Sequence, residues 1–371
     1  MFHNYRFKNL DIKLIIAVIA LTIIGIFVIG SASESNQQKQ ILGMILGIFV
    51  MGAMTLVDYD YLLHFHWIYY ALVLVLLASV LLFGDESGGA TRWIDVGIRF
   101  QPSELAKILL ILFFAWFFMM HEEDINRPQI ILFTLVLSAL PLFLIEKEPD
   151  LSTTIVTLMI ICVMIFVTGI NYKLVGIVLG ITIPAILILL FLVTRDGQTI
   201  LNEYQGLRIL AWLRPEDYPS SSYQQQNSIM AIGSGQLLGK GLGNEAFDSV
   251  KNGNYISEPH TDFIFAVAGE ELGFIGSALI IVLIFFITIE ILQIAKNAKD
   301  ISGRLICIGM ASLIGFQSFV NICVVTGLMP NTGLPLPFVS YGLTSLVTIY
   351  FGIGIVLNVG LQSKNMNGRL F

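Results

Sequence analysis

Long apolar runs recur along most of the chain, each long enough to cross a bilayer as a helix. A membrane-spanning helix needs about 20 mostly apolar residues. Runs of this kind predict about ten spans, and they favour an all-α polytopic membrane protein folded as a single integral membrane domain over residues 1–371. We expect the spans near 12–31, 40–57, 66–83, 104–120, 129–146, 151–169, 172–193, 263–293, 304–328 and 341–362.

The composition agrees with a membrane location. Of the 371 residues, 56% are hydrophobic and 12% are charged, and the mean hydropathy is +0.82. A soluble domain carries about 25% charged residues. The basic residues are scattered and do not indicate a nucleic-acid surface. The cysteines lie far apart in apolar runs without metal-ligand spacing, so we predict neither a disulfide nor a zinc site at Cys162, Cys307 and Cys323.

Positive charges are distributed unequally between the two predicted sides of the membrane. Short cytoplasmic loops collect Lys and Arg. With the N-terminus inside, ten Lys and Arg residues lie on the inside and four lie in the short outside loops. We therefore expect both termini to be cytoplasmic. The long segment 194–261, between the seventh and eighth spans, is then a large extracytoplasmic loop, and loops of that length are usually functional.

The eighth span opens with the stretch EPHTD, which ends at Asp262. This aspartate has two interpretations. Together with Thr261 it can cap the helix, because carboxylates and hydroxyls are favoured at a helix N-terminus. It can also lie at the mouth of a water-filled cavity as a general base. Glu270 and Glu271, about two turns further on, are costly in a bilayer, and we assign them to cavity structure or to coupling with a partner.

Charged residues also lie at the start of the fourth span, in the segment before that span, and just before the sixth span. Glu104 and Lys107 are three residues apart on one helix face; they form a self-neutralising pair, or Lys107 binds an anion and Glu104 orients it. Arg92, next to Trp93, is an interfacial anchor or a phosphate-binding fork. Asp150, in the stretch EKEPD, caps the sixth span or belongs to a site.

Glycine and proline mark two further segments. The stretch AIGSGQLLGKGLGN (231–244) lacks the spacing and the βαβ context of a dinucleotide-binding fingerprint. We expect its glycines to allow tight turns and close backbone packing. Prolines interrupt helix in the segment 327–342. Irregular backbone at membrane depth is tolerated only where it is buried or lines a cavity, so we expect this segment to face a cavity.

Six segments, in this order, resemble the SEDS family of bacterial cell-wall polymerases, whose members include RodA and FtsW: GATRWI, QPSELAKI, EPDLSTT, YQQQNSIMAIGSGQLLGKGL, EPHTDFIFAVAGEELG and GLPLPFVSYG. They extend from about 88 to 342, and the ten-span topology covers the rest. The closing stretch FGIGIVLNVGLQ resembles RodA more than FtsW. The resemblance implies a peptidoglycan glycosyltransferase that polymerises lipid II into glycan strands on the outer face of the cytoplasmic membrane.

The same resemblance implies roles for individual residues. It carries the essential acid onto Asp262, as the general base for the 4-hydroxyl of an incoming N-acetylglucosamine. The undecaprenyl diphosphate leaving group needs cationic stabilisation, and the candidates are Lys107, Arg92 and Arg208, in falling order. A divalent cation such as Mg²⁺ or Mn²⁺ could share that role. The substrate-binding candidates together are Lys107, Glu104, Arg92, Arg208, Asp150 and His260.

A partner is also implied, namely a class B penicillin-binding protein that acts as a transpeptidase. Two other functions stay open at this stage. A lipid II flippase would also carry charged residues in its spans, but it needs a polar path to the inside, whereas the polar motifs lie on the predicted outer face. A non-catalytic scaffold of the cell-wall synthesis complex would tolerate the loss of Asp262.

Overall fold

The computed structural model describes residues 5–87, 90–95, 99–193, 203–243, 249, 253 and 255–363. Parts of the predicted large loop, 194–202 and 244–248, lie outside the described residues, as do the basic residues Lys364 and Arg369. The described chain forms the helices α1 (Ile12–Ala32), α2 (Glu34–Leu56), α3 (Tyr59–Leu63), α4 (His66–Phe83), α5 (Pro102–Met120), α6 (Pro128–Lys147), α7 (Leu151–Val167), α8 (Tyr172–Val193), α9 (Glu203–Leu213), α10 (Pro219–Ser234), α11 (Ile264–Lys296), α12 (Ile301–Val325) and α13 (Leu343–Leu361).

The long helices coincide with the predicted spans, and the all-α polytopic fold is confirmed. Eight of them are long and apolar enough to cross a membrane. The helix α7 and the Tyr172–Thr182 part of α8 are apolar but shorter. The helix α2 begins at Glu34, before the predicted residue 40. Hydropathy missed this start because its first turns are polar; Gln40 there is buried and donates to Ser340 O at 3.1 Å.

The centre of the bundle is formed by α5, α12 and α13. The helix α5 is buried on nearly all sides, and Phe113 and Phe114 are completely enclosed. A helix that is apolar all round lies in the interior of a protein. The helices α4 and α6 lie at the periphery and expose large side chains such as Leu82 and Phe133. Polar groups on α5 and α12 therefore depend on protein partners rather than on lipid.

A break in α11 fixes the segment that follows α10. Gly273 has φ 65° and ψ −163°, which is not helical. Beside the break, Lys240 N donates to Glu270 O at 2.9 Å. A Cβ on Gly239 would collide with the α11 backbone. The prediction that the glycine-rich stretch permits close backbone packing is confirmed, and the stretch is thereby tied to the helix that follows Asp262.

Two buried carboxylates lie at the same break. Lys240 Nζ donates to Glu270 Oε1 at 2.9 Å, and Ser31 Oγ donates to Glu271 Oε1 at 2.5 Å. Acidic side chains at membrane depth usually meet partners of this kind. The contacts link α1, the segment after α10 and α11.

A small antiparallel sheet lies between α4 and α5. Its strands are β1 (Asp85–Ser87), β2 (Ala90–Asp95) and β3 (Arg99–Phe100), with β2 in the middle. Residues 88, 89 and 96–98 lie outside the described part of the chain. The hydropathy pattern did not predict this sheet, because its strands are two to six residues long. Its central strand carries Arg92.

The helices α9 and α10 pack on the irregular segment after α12. Trp212 Nε1 donates to Gly327 O at 2.9 Å. Gln225 Nε2 donates to both Val324 O and Met329 O at 2.7 Å. These bonds join α9 and α10 to the end of α12 and to the segment that follows it. They place α9 beside the site described next.

Candidate active site

A cavity of about 240 Å³ opens where β2, α9, the turn before α11 and the segment after α12 meet. The turn contributes Thr261 and Asp262, whereas β2 contributes Arg92 and α9 contributes Arg208. Charged and polar side chains from each of these segments line the cavity. The lining includes Arg92, Arg208, Asp262, Gly333, Tyr341 and Ser345.

Asp262 is half-buried in this cavity and does not cap α11. The N-cap residue is Phe263, and no side chain caps the helix; Thr261 Oγ1 instead donates to Glu258 O at 2.8 Å. The capping interpretation is therefore wrong. Burial raises the pKa of Asp262 to about 6, although Arg92 and Arg208 act to lower it. A carboxylate with a pKa near neutral is suited to exchanging protons at physiological pH.

A buried amide on α12 holds the backbone of Asp262 in place. Asn321 Nδ2 donates to Asp262 O at 2.8 Å and to Leu334 O at 2.6 Å. One side chain thus joins the turn before α11 to the segment that carries Gly333. Asn321 was not predicted as a site residue. A signal was present, because Gln317 and Asn321 are polar residues four positions apart, on one face of an otherwise apolar helix.

Arg92 lines the cavity and is held by the turn between α6 and α7. Its Nη2 donates to Pro149 O at 2.6 Å, and its Nε lies 3.8 Å from Asp150 Oδ2. The side chain is 11% exposed, which does not fit an interfacial anchor. A Cβ built on Gly333 would lie 3.2 Å from Arg92 Nη1 and 3.2 Å from Asp262 Oδ2. The free edge of the guanidinium and the carboxylate therefore approach one point.

Asp150 caps α7, as one of its two interpretations predicted. Its Oδ1 accepts from Thr153 N at 3.1 Å, which caps α7. Its Oδ2 accepts from Gln101 Nε2 at 3.4 Å and faces Arg92. Asp150 is fully buried and does not line the cavity. It holds Arg92 from the side of the guanidinium that faces away from the cavity.

Arg208 supplies the second positive charge. It lies on α9, and its Nη1 donates to Asn331 O at 3.2 Å. Arg92, Arg208 and Asn331 also line an adjoining pocket of about 30 Å³. Arg208 lowers the pKa of Asp262, as Arg92 does. Two arginines thus act on Asp262, whereas Glu258, which also lines the cavity, acts to raise the pKa of that carboxyl.

Glu104 and Lys107 form a buried network one layer below the cavity. Lys107 is 1% exposed, and its Nζ donates to Glu104 Oε1 and to Gln317 Oε1, both at 2.6 Å. Gln317 Nε2 donates to Pro335 O at 3.0 Å, and Ser345 Oγ donates to Glu104 Oε2 at 3.2 Å. Neither charged residue lines the cavity, whereas Pro335 and Ser345 do. The self-neutralising pair predicted from the sequence is present.

His260 lies beside the cavity rather than in its lining. Its backbone oxygen accepts from Tyr341 N at 2.9 Å, and the two rings are 5.4 Å apart in an edge-to-face arrangement. Burial lowers the pKa of His260, while Glu258 acts to raise it. His260 packs against Tyr341, which does line the cavity.

The residues that face the cavity do not form an evident metal site. Within the described ranges, no three His, Cys, Asp or Glu side chains are grouped so as to hold a metal ion. The charged groups nearest Asp262 include the two arginines, which already supply positive charge.

Comparison with known proteins identifies the family. Residues 11–365 match the model of the FtsW/RodA/SpoVE cell cycle protein family. FtsW of Geobacter sulfurreducens, described as a probable peptidoglycan glycosyltransferase, is 34% identical over 96% of each chain. The peptidoglycan glycosyltransferase MrdB of Escherichia coli K12 is 33% identical over 97% of this chain and 95% of its own.

Solved structures agree with the sequence comparison. A chain of a peptidoglycan synthase complex that coordinates polymerization and crosslinking superposes with a TM-score of 0.77, at 29% identity over 94% of this chain and 97% of its own. The rod shape determining protein RodA of Thermus thermophilus superposes with a TM-score of 0.68, at 26% identity over 98% and 99%. The protein therefore belongs to the FtsW/RodA/SpoVE family, the SEDS family that its motifs predicted.

Proposed function

We propose that this protein is a peptidoglycan glycosyltransferase that polymerises lipid II, with Asp262 as the general base. The observation that carries the proposal is the approach of Asp262 and Arg92 to one point beside Gly333. A base and a cation that meet at one point suit a reaction that removes a proton and releases an anion. The activities named for the relatives support the same reaction class.

In the proposed step, the 4-hydroxyl oxygen of an incoming N-acetylglucosamine attacks the anomeric carbon of the sugar diphosphate. The Asp262 carboxylate accepts the hydroxyl proton as the new carbon–oxygen bond forms. The bond between the anomeric carbon and the diphosphate oxygen breaks, and its electron pair leaves with undecaprenyl diphosphate. Arg92 and Arg208 stabilise the charge that develops on this leaving group.

The burial of the other predicted residues favours supporting roles. We propose that Lys107, predicted first among the diphosphate-binding cations, instead orients Gln317 and Glu104, because its ammonium group already contacts both. Glu104 then fixes Ser345, and His260 fixes Tyr341. Asp150 orients Arg92. Arg92 and Arg208 are therefore the cationic candidates that we propose contact the diphosphate of the substrate.

We place the cavity on the outer face of the cytoplasmic membrane, with both termini in the cytoplasm. The unequal distribution of Lys and Arg supports this orientation. We also propose a transpeptidase of the penicillin-binding class as partner, in line with the synthase complex that coordinates polymerization and crosslinking. Cysteine labelling in intact cells, at exposed Leu238 and at exposed Glu123, tests the orientation; only the former should react with an impermeant reagent.

Lipid transport is the alternative function. In the described part of the molecule, α5, α12 and α13 meet below Lys107 through apolar side chains that include Ile108, Ile111 and Met310. This packing does not favour passage of a charged headgroup. The test is to supply purified protein in liposomes with lipid II, with and without a transpeptidase and divalent metal. Glycan strands support the proposal, whereas lipid II translocation without polymer supports a flippase.

A further inference from the structure

Glu148 is a buried carboxyl group that the proposed reaction does not use. It follows α6 directly, two residues before Asp150, and its side chain is fully buried. Among the residues that the structure describes, neither Oε1 nor Oε2 has a hydrogen-bond partner. Arg92 is nearby, but it donates to Pro149 O and faces Asp150 rather than bonding to Glu148.

A carboxylate in such a place is unfavourable. An ionised carboxylate that is buried without donors loses its hydration, and such a group usually stays protonated instead. Burial, and to a smaller extent Asp150, raises the pKa of Glu148 to about 9, with Arg92 opposing. These two are the charged groups that act on Glu148 from the surrounding elements: Asp150 from the same turn and Arg92 from β2.

The protonation state of Glu148 matters because of the charges around it. Arg92 and Arg208 are the two positive charges that act on Asp262, and Asp150 and Glu258 are the negative ones. An ionised Glu148 would add a further negative charge beside Arg92. It would also compete with Asp150 and Asp262 for Arg92. Both effects would oppose the departure of a diphosphate anion.

We propose that Glu148 is a positioning residue that acts through Arg92: its uncharged carboxyl leaves Arg92 held by Pro149 and Asp150, with Nη1 directed at the cavity. Ionisation of Glu148 draws the guanidinium away from this position and stops glycan transfer. The inference rests on the proposed function, because it assigns Glu148 to the same reaction. In this proposal Glu148 must stay uncharged, whereas Arg92, Asp150, Arg208 and Asp262 act as charged groups.

The test is the pH dependence of the Glu148→Gln variant, which keeps the shape of an uncharged carboxyl but cannot ionise. Polymerisation rates of the variant and the wild type are compared from neutral pH to about pH 10, so that the ratio cancels every other titration. We expect a ratio near one at neutral pH that rises by about tenfold per pH unit above pH 9. Glu146→Gln, which changes another carboxylate near the end of α6, should give a flat ratio.

A second measurement does not depend on activity. The infrared difference spectrum between wild type and Glu148→Gln at neutral pH should contain the carbonyl stretch of a protonated carboxyl. A missing band, a flat ratio, or a folded but inactive Glu148→Gln variant at neutral pH would each overturn the inference. Failure of the wild type to polymerise lipid II would instead count against the proposed function, and the infrared result would still decide the state of Glu148.

Discussion

Arg92 and Asp262 approach the same point in the cavity from two parts of the chain that are far apart in sequence. A Cβ on Gly333 would lie 3.2 Å from Arg92 Nη1 and from Asp262 Oδ2. Gly333 itself has φ 74°, a conformation that L side chains rarely adopt. A glycine is therefore needed for two reasons: its backbone geometry and the space that the two charged groups share.

The first prediction concerns this glycine. Gly333→Ala should lower kcat/KM by about 10- to 100-fold while the protein still folds, because a methyl group would push Arg92 or Asp262 from its position. The measurement is the rate of glycan polymerisation beside a thermal unfolding curve. Gly176→Ala is the control, since a Cβ at this helical position meets no atom within 4 Å. Normal activity of Gly333→Ala would show that the shared space is not used.

The second prediction concerns pH. Burial raises the pKa of Asp262 to about 6, so the carboxyl is protonated below that pH and cannot accept the hydroxyl proton. We expect kcat/KM to fall as the pH drops through about 6. Arg92 lowers this pKa, and Arg92→Gln should therefore move the acid limb upward by about one pH unit, in addition to slowing the reaction.

The control for the pH prediction is Arg127→Gln. Arg127 is exposed and pairs with Asp124 in the connection between α5 and α6, so this variant should keep the wild-type profile. An acid limb near pH 4, or a limb that Arg92→Gln leaves unchanged, would contradict the electrostatic description of Asp262.

The third prediction concerns the amide bridge on α12. Asn321→Leu removes the donor shared by Asp262 O and Leu334 O, and each buried carbonyl left without a partner costs about 1–3 kcal/mol. We expect a lower Tm and a lower kcat. Ser318→Ala is a matched control on the same helix, because the buried Ser318 Oγ has no hydrogen-bond partner in the described part of the chain. Equal Tm values for the two variants would show that the bridge contributes nothing.

The fourth prediction concerns the buried ion pair. Glu104→Gln and Lys107→Met each leave one charge uncompensated, which typically costs about 3–5 kcal/mol. The double variant removes both charges and should unfold at a higher temperature than either single variant. It should still polymerise more slowly than the wild type, because Gln317 loses the ammonium donor and Ser345 loses its charged acceptor. If the three variants unfolded alike, Glu104 and Lys107 would not be energetically coupled.

The sequence predicted the helices well because a membrane-spanning helix is recorded in a long, continuous apolar run. The same principle explains its failures. The strand that carries Arg92 is short and polar, and the break at Gly273 lies within one unbroken apolar run. Neither feature changes the average hydropathy over 20 residues.

The candidate site was only partly predictable, because charge identifies a residue but not its depth. Asp262 and Arg92 were singled out and do meet in the cavity. Lys107 is just as conspicuous in sequence, yet its neighbours on α5 and α12 enclose it. Asn321 and Gly333 act through a side-chain amide and a backbone angle, which become meaningful only once distant segments are placed together.

The most direct test of the proposed mechanism is polymerisation of lipid II by Asp262→Asn. The asparagine keeps the shape of the side chain and removes its capacity to accept a proton. We predict that the folded variant binds lipid II as the wild type does and forms no glycan strands. Polymer from Asp262→Asn at a rate near that of the wild type would contradict the assignment of Asp262 as the general base.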